Sequence, residues 1–211
     1  MSKASCVLGC FYGDEGKGRM VDLLSKDYDV VVRYQGGNNA GHTVINEKGK
    51  FVLNLLPSGI LREKVTCVMG NGMVIDIKHL VEEMANLRAL GVKISPKNLK
   101  ISDKAIICMP YHVMQDCLEE DRLKDKKYGS TRRGIGPVYS DKYIKKGIRM
   151  GDLFDEKLLE ERVKDVLAWK NLTLENVYNA KPLTTKEMMK FLKQQFLNMT
   201  ELEKDFVNLR F

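Results

Sequence analysis

Apolar positions along the chain fall into two regimes. Up to about residue 154, short apolar runs alternate with glycine-rich turns and with stretches of helical period; beyond it, apolar residues keep helical spacing on a charged background. The pattern predicts strands at 5–9, 29–34, 51–56, 65–70 and 104–108, and helices at 18–26, 78–90 and 111–124. Leu80, Val81, Met84, Leu87 and Leu90 share one helix face, a core stripe that needs no cofactor to explain it. The polar stretch Asn46-Glu47-Lys48-Gly49-Lys50, inside 43–53, predicts a hairpin or lid. After Gly151-Asp152-Leu153-Phe154, a stripe of Leu158, Leu159, Val163, Val166 and Leu167 predicts a long helix, and the pairs Thr184/Glu187 and Thr200/Glu203 are capping boxes for two more. The expected class is α/β: a mainly parallel central sheet with P-loop-like glycine turns, followed by a helical C-terminal segment. The expected division is 1–154 for an α/β core that carries the glycine turns and 155–211 for the helical segment. No repeat and no low-complexity linker interrupts it.

Composition narrows the function. With 211 residues and 44% hydrophobic content, the chain can bury one sizeable core, and no apolar run approaches the length of a membrane span. Met1-Ser2-Lys3-Ala4-Ser5 leads directly into the first expected strand, so no signal peptide is expected. Five scattered cysteines without a C-x-x-C pair read as reduced thiols of a cytoplasmic protein, with no structural zinc. His79 and His112 stand at expected helix starts, far in sequence from ligand-spaced partners, and read as structural. The net charge of +7 is spread along the chain without an aromatic-interleaved basic motif, which fits anionic small substrates better than nucleic acid.

The chemistry concentrates in two glycine runs. Gly13-Asp14-Glu15-Gly16-Lys17-Gly18 follows the apolar run Cys6-Val7-Leu8-Gly9 and precedes Met20-Val21-Asp22-Leu23-Leu24. Strand, glycine turn and helix N-terminus make an anion site, because free backbone N–H groups and the positive end of the helix dipole converge there; Lys17 adds a cation. The run departs from a Walker A loop: Phe11 stands where that loop has its first glycine, and Gly18 where it has a magnesium-binding hydroxyl. Asp14 is then the nearest hard-oxygen ligand for magnesium. The second run, Gly36-Gly37-Asn38-Asn39-Ala40-Gly41-His42-Thr43, leaves the strand ending Val32-Arg33-Tyr34, at the edge where open α/β sheets bind ligands.

Asp14 and His42 supply an acid and base pair to one pocket, although a histidine among small residues is also compatible with a purely structural role. The amides of Asn38 and Asn39 suit a base edge or a phosphate, and equally suit turn geometry.

These runs, with Pro57-Ser58-Gly59-Ile60-Leu61, Gly70-Asn71-Gly72 and Gly134-Ile135-Gly136-Pro137 in the same order, resemble the adenylosuccinate synthetase family from Val7 to about Phe154. The resemblance implies a cytoplasmic, homodimeric ligase of purine (AMP) biosynthesis that joins L-aspartate to IMP with hydrolysis of GTP. It implies Asp14 as the base for the N1 proton of IMP and His42 as the group that stabilises and protonates the transferring phosphoryl. It makes Asp14 and the Gly41 carbonyl the ligands of one Mg²⁺. It assigns Gly13, Asp14, Glu15, Gly16, Lys17, Gly18, Arg19, Gly41, His42 and Thr43 to GTP. It assigns Asp14, Glu15, Gly16, Lys17, Asn39, Ala40, Gly41 and His42 to IMP, with Thr131 of Gly129-Ser130-Thr131-Arg132-Arg133 on the IMP phosphate. Lys145 occupies the place of an arginine that reaches the partner subunit's IMP phosphate; lysine keeps the charge and loses the bidentate fork. By itself, the run of Lys142, Lys145, Lys146 and Arg149 reads as a solvated basic face.

The family's chains are roughly twice as long as these 211 residues. Nothing in the sequence matches the family's Gly-Ala-Gln-Gly turn for the IMP base, its arginine-rich aspartate loop, or its guanine-reading Thr-Lys-Leu-Asp run. Two other classes therefore stand beside the enzyme: a non-catalytic nucleotide-binding or dimerising remnant, and a divergent phosphotransferase using Asp14 and His42 on another nucleotide.

Overall fold

The computed structural model describes residues 3–11, 13, 15–46, 49–199 and 204–207. In chain order its elements are α1 (Lys17–Ser25), β1 (Val30–Gly36), β2 (His42–Asn46), β3 (Gly49–Leu53), β4 (Thr66–Ile75), α2 (Ile77–Ala89), β5 (Leu99–Ile101), β6 (Ile106–Ile107), α3 (Pro110–Leu123), α4 (Ile135–Tyr143), α5 (Glu156–Asn176) and α6 (Thr185–Asn198). β4 is the central strand. It pairs in parallel with β1 on one side and with β5 and then β6 on the other. β2 and β3 form the separate antiparallel hairpin expected over 43–53, with His42 opposite Leu53.

Alternation along β4 explains its place. Cys67 and Met69 are buried toward one face with Leu99 and Ile101 of β5, and Val74 and Ile75 are buried on both faces. The strand runs straight through Gly70-Asn71-Gly72, where the sequence pattern ends it. The β1–β4 register shifts between Arg33 and Gln35, and the Tyr34 carbonyl turns toward Gly72 so closely that any Cβ there would collide with it. Tyr139 of α4 closes this irregular stretch: its hydroxyl accepts from Gly36 N at 2.7 Å and donates to Gly72 O at 2.9 Å.

Helices cap where the sequence says. Asp76 caps α2 by accepting from His79 N at 3.1 Å, Asp155 caps α5 through Leu158 N at 3.0 Å, and Thr184 with Glu187 forms the expected capping box of α6. The Thr200/Glu203 box lies outside the described residues. The helical segment shares one core with the sheet: Leu159, Val163 and Leu192 belong to the same buried cluster as Met69 and Leu80, and Phe206 O accepts from Ile101 N at 2.8 Å. Leu90 and Leu158 leave their stripes and are exposed.

Three further strand expectations need correction, and one strand was not expected. Residues 5–9 form no strand, and Leu8 is exposed; a run this short needs a neighbour to pair with, and among the described residues β1 pairs only with β4. The strand expected over 51–56 stops at Leu53, because the next three amides turn to a side chain of α2 instead of a strand. The stretch 104–108 narrows to two residues, and β5, only three residues long, gave no periodic signal.

Candidate active site

The N-terminus of α1 is built by Gly16, which has φ 71°, a left-handed conformation that glycine adopts without strain, and among the described residues no side chain caps the helix. The first-turn N–H groups are therefore left to a ligand or water. Beside them, Glu15 accepts from Phe11 N at 2.7 Å and from Lys17 Nζ at 2.5 Å. The Lys17 ammonium and the Phe11 amide hold the Glu15 carboxyl below its ordinary range. Lys17 is thus engaged by an internal carboxylate at the mouth of the turn.

The second glycine run folds onto this turn. Its last part enters β2, and the His42 ring lies on Gly18: a Cβ at Gly18 would stand 2.7 Å from the ring. Gly18 is buried and His42 half-buried. Burial, and then the nearby Arg33 guanidinium, push the His42 pKa below its ordinary value, while a hydrogen bond with the Leu53 backbone pulls the other way. The shift favours the neutral imidazole.

Three side chains that the sequence did not single out hold this loop. Arg33 of β1 donates to Asn54 O and, at 2.9 Å, to Gly37 O. Asn54 Nδ2 donates to Ala40 O at 3.1 Å and would touch a Cβ at Gly41. Glu83, buried on α2, accepts from the amides of Asn54, Leu55 and Leu56 at 2.8–3.2 Å. Its signal was present: a carboxylate at position 83 on the stripe of Leu80, Met84 and Leu87 must find donors when buried.

The remaining expected residues fall as follows. Asp14 lies outside the described residues. Gly13, Arg19, Asn39 and Thr43 are exposed around the turn. Asn38 is buried, with Nδ2 on Asp76 Oδ2 at 2.9 Å, so half of its amide ties the loop to the cap of α2. Thr131 is exposed on a loop held to α3, where Glu120 accepts from Tyr128 N and Gly129 N and Asp116 accepts from Gly134 N. Gly134 then starts α4, whose Ile135 lies against Gly37. The loop of Thr131 and the second glycine run are thereby joined through one helix. Lys145 is exposed just past α4 at φ 63°.

Among the described residues no three His, Cys, Asp or Glu side chains gather as a metal cage. The donors expected for Mg²⁺, the Asp14 carboxylate and the Gly41 carbonyl, are both hard oxygens, which fits an ion that completes its shell with phosphate and water. A surface groove of about 1060 Å³ lies away from this site, between α5 and α6 beside Thr185, Met189 and Leu197.

The adenylosuccinate synthetase profile matches residues 6–209. The chain belongs to the adenylosuccinate synthetase family. It is 50% identical over 188 residues to the adenylosuccinate synthetase of Halothermothrix orenii, covering 89% of this chain and 44% of that one. To that of Brevibacillus brevis it is 45% identical over 201 residues, covering 95% and 46%. Among solved structures, the fully ligated adenylosuccinate synthetase of Plasmodium falciparum superposes with a TM-score of 0.76 at 33% identity, over 95% of this chain and 45% of that one. The chain spans less than half the length of the family relatives it matches. No helix among the described residues is long and apolar enough to cross a membrane.

Proposed function

We propose that this chain carries the phosphoryl- and proton-transfer machinery of an adenylosuccinate synthetase: the GTP- and Mg²⁺-dependent condensation of IMP with L-aspartate to adenylosuccinate, GDP and phosphate, within AMP biosynthesis. The observation that supports it most is the contact of His42 with Gly18, which sets a neutral imidazole over the uncapped turn where a nucleotide phosphate would sit.

Asp14 takes the N1 proton of IMP, and the 6-oxygen so activated attacks the γ-phosphorus of GTP, releasing GDP. The α1 N–H groups and Lys17, drawn from Glu15 by the incoming phosphate, hold the transferring group. His42 donates its N–H as negative charge builds on the phosphoryl oxygens. Aspartate's amine then attacks C6, and phosphate leaves with the 6-oxygen. A single Mg²⁺ held by Asp14 and the Gly41 carbonyl would neutralise charge on the phosphates. Thr131 anchors the IMP phosphate, and Lys145 reaches the same phosphate in the partner of a cytoplasmic homodimer.

A second reading is a nucleotide-binding or dimerising remnant without turnover. Phosphate release from Mg-GTP by residues 1–211, with and without IMP and aspartate and beside Asp14→Asn, separates the two. Release that needs both co-substrates and Asp14 is the expected result for an enzyme. IMP binding without release would make the chain a remnant, and release indifferent to aspartate would point to another phosphotransfer.

A further inference from the structure

We propose that the groove between α5 and α6 is a docking site for a partner protein's amphipathic helix, one that carries acidic residues along one edge of an apolar stripe. The wall on α6 is a row of side chains. Lys186, Lys190, Lys193 and Leu197 follow one another at intervals of four, three and four residues, which sets all four on one face of the helix. Met189, almost fully buried, forms the floor, and Leu197 stands 76% exposed at the end of the row. The opposite wall is α5, where Glu160 lines the groove.

Charge selects the occupant. Glu156 of α5 is already engaged by Lys193 at 2.5 Å, and Glu160 by Lys164 at 3.0 Å. Among the described residues Lys186 and Lys190 meet no carboxylate at ion-pair distance. The groove therefore keeps two uncompensated positive charges, about 6 Å apart along the helix axis. Carboxylates at the same interval on a facing helix would answer both at once. The floor selects a polypeptide over a nucleic acid. A phosphate backbone would use the charges alone and would meet the Glu160 carboxylate, whereas Met189, Leu197 and the lysine stems offer apolar surface that an adaptable thioether can mould. Length sets the size of the occupant: the lined stretch from Thr185 to Leu197 is about 18 Å long, enough for a little over three helical turns. The groove shares no residue with the glycine turns, so its occupancy and phosphoryl transfer can be tested apart.

The test uses residues 1–211 and a fluorescein-labelled helical peptide of about 14 residues, with two glutamates four positions apart beside a leucine stripe. Fluorescence anisotropy should show saturable binding that weakens as salt rises. In NMR spectra the peptide should move amide signals of 185–197 and leave those of the glycine turns in place. Lys186→Glu combined with Lys190→Glu should weaken binding about tenfold or more. Leu197→Ser should weaken it too, and Lys26→Glu on the far side of the sequence should not, each variant being checked for native circular dichroism. A peptide with glutamine in place of both glutamates should bind like the charge-reversed protein. Absence of saturable binding, indifference to the two charge reversals, or shifts confined to other elements would each overturn the proposal. So would a single-stranded oligonucleotide that displaces the peptide from the lysine row with higher affinity.

Discussion

Gly18 shows how much a single absent methyl group decides here. Alanine would raise helix propensity by up to about 1 kcal/mol, less in a first turn. Its Cβ would stand 2.7 Å from the His42 ring, and overpacking of that kind costs about 1–3 kcal/mol. The clash wins, so Gly18→Ala should destabilise by roughly 1 kcal/mol in urea titration. The ring must also move outward, which relieves the burial that depresses its pKa. With only three histidines in the chain, proton NMR can follow His42 directly. Its midpoint should rise toward the ordinary histidine value, and an unmoved midpoint would mean that the ring does not rest on the glycine. The glycine pattern, and a pocket shared by the first run and His42, were legible in the sequence; that the ring rests on Gly18 itself was not, since no spacing rule names that contact.

At the level of elements, the strand exit after β3 depends on α2. Three consecutive amides, those of Asn54, Leu55 and Leu56, donate to one carboxylate, Glu83. The strand therefore ends at Leu53 although the apolar pattern continues through Leu56. Periodicity reports which face is buried but not which acceptor a backbone group finds, and that is why the predicted strand ran three residues too long. The three helices given bounds, 18–26, 78–90 and 111–124, lie within one residue of α1, α2 and α3, because end signals such as the Asp76 cap are local, whereas α4 was not expected. Strand 5–9 failed for the opposite reason, since a strand needs a neighbour that local sequence does not name. Glu83→Ala leaves three amides in the interior without an acceptor, each costing about 1–3 kcal/mol. The expected loss is about 3 kcal/mol or more by urea denaturation, with faster hydrogen exchange confined first to 54–56. A loss under about 1 kcal/mol would show that water replaces the carboxylate.

Across the molecule, α3, α4 and α5 meet at a buried network that the sequence hid, because its members lie far apart along the chain. His112 Nδ1 accepts from Met109 N at 2.9 Å, which leaves Nε2–H to donate to Asp141 Oδ2 at 2.9 Å. Asp141 Oδ1 pairs with Lys170 at 2.6 Å, and Lys170 Nζ also donates to Gln115 at 2.9 Å. His112 was read as structural, and its position, fully buried between helices, bears that out. Burial holds its pKa below the ordinary value; Asp141 opposes the shift and the Lys170 charge adds to it. In the unfolded chain His112 takes up a proton below about pH 6.5, whereas in the folded protein it stays neutral to lower pH. The unfolded state then binds more protons, so stability is intact above that point and falls as pH drops through it, by up to about 1.4 kcal/mol per pH unit for one proton. The loss continues until the folded pKa is reached. His42, half-buried, adds a smaller contribution of the same sign. Carboxylates titrate lower, so the window between about pH 5 and 6.5 belongs to these histidines. Urea unfolding at pH 5.5, 6.5 and 7.5 should show this slope in the native sequence. His112→Gln should be less stable at pH 7.5 yet distinctly flatter across the window, and parallel slopes in the two proteins would remove His112 as the source of acid sensitivity.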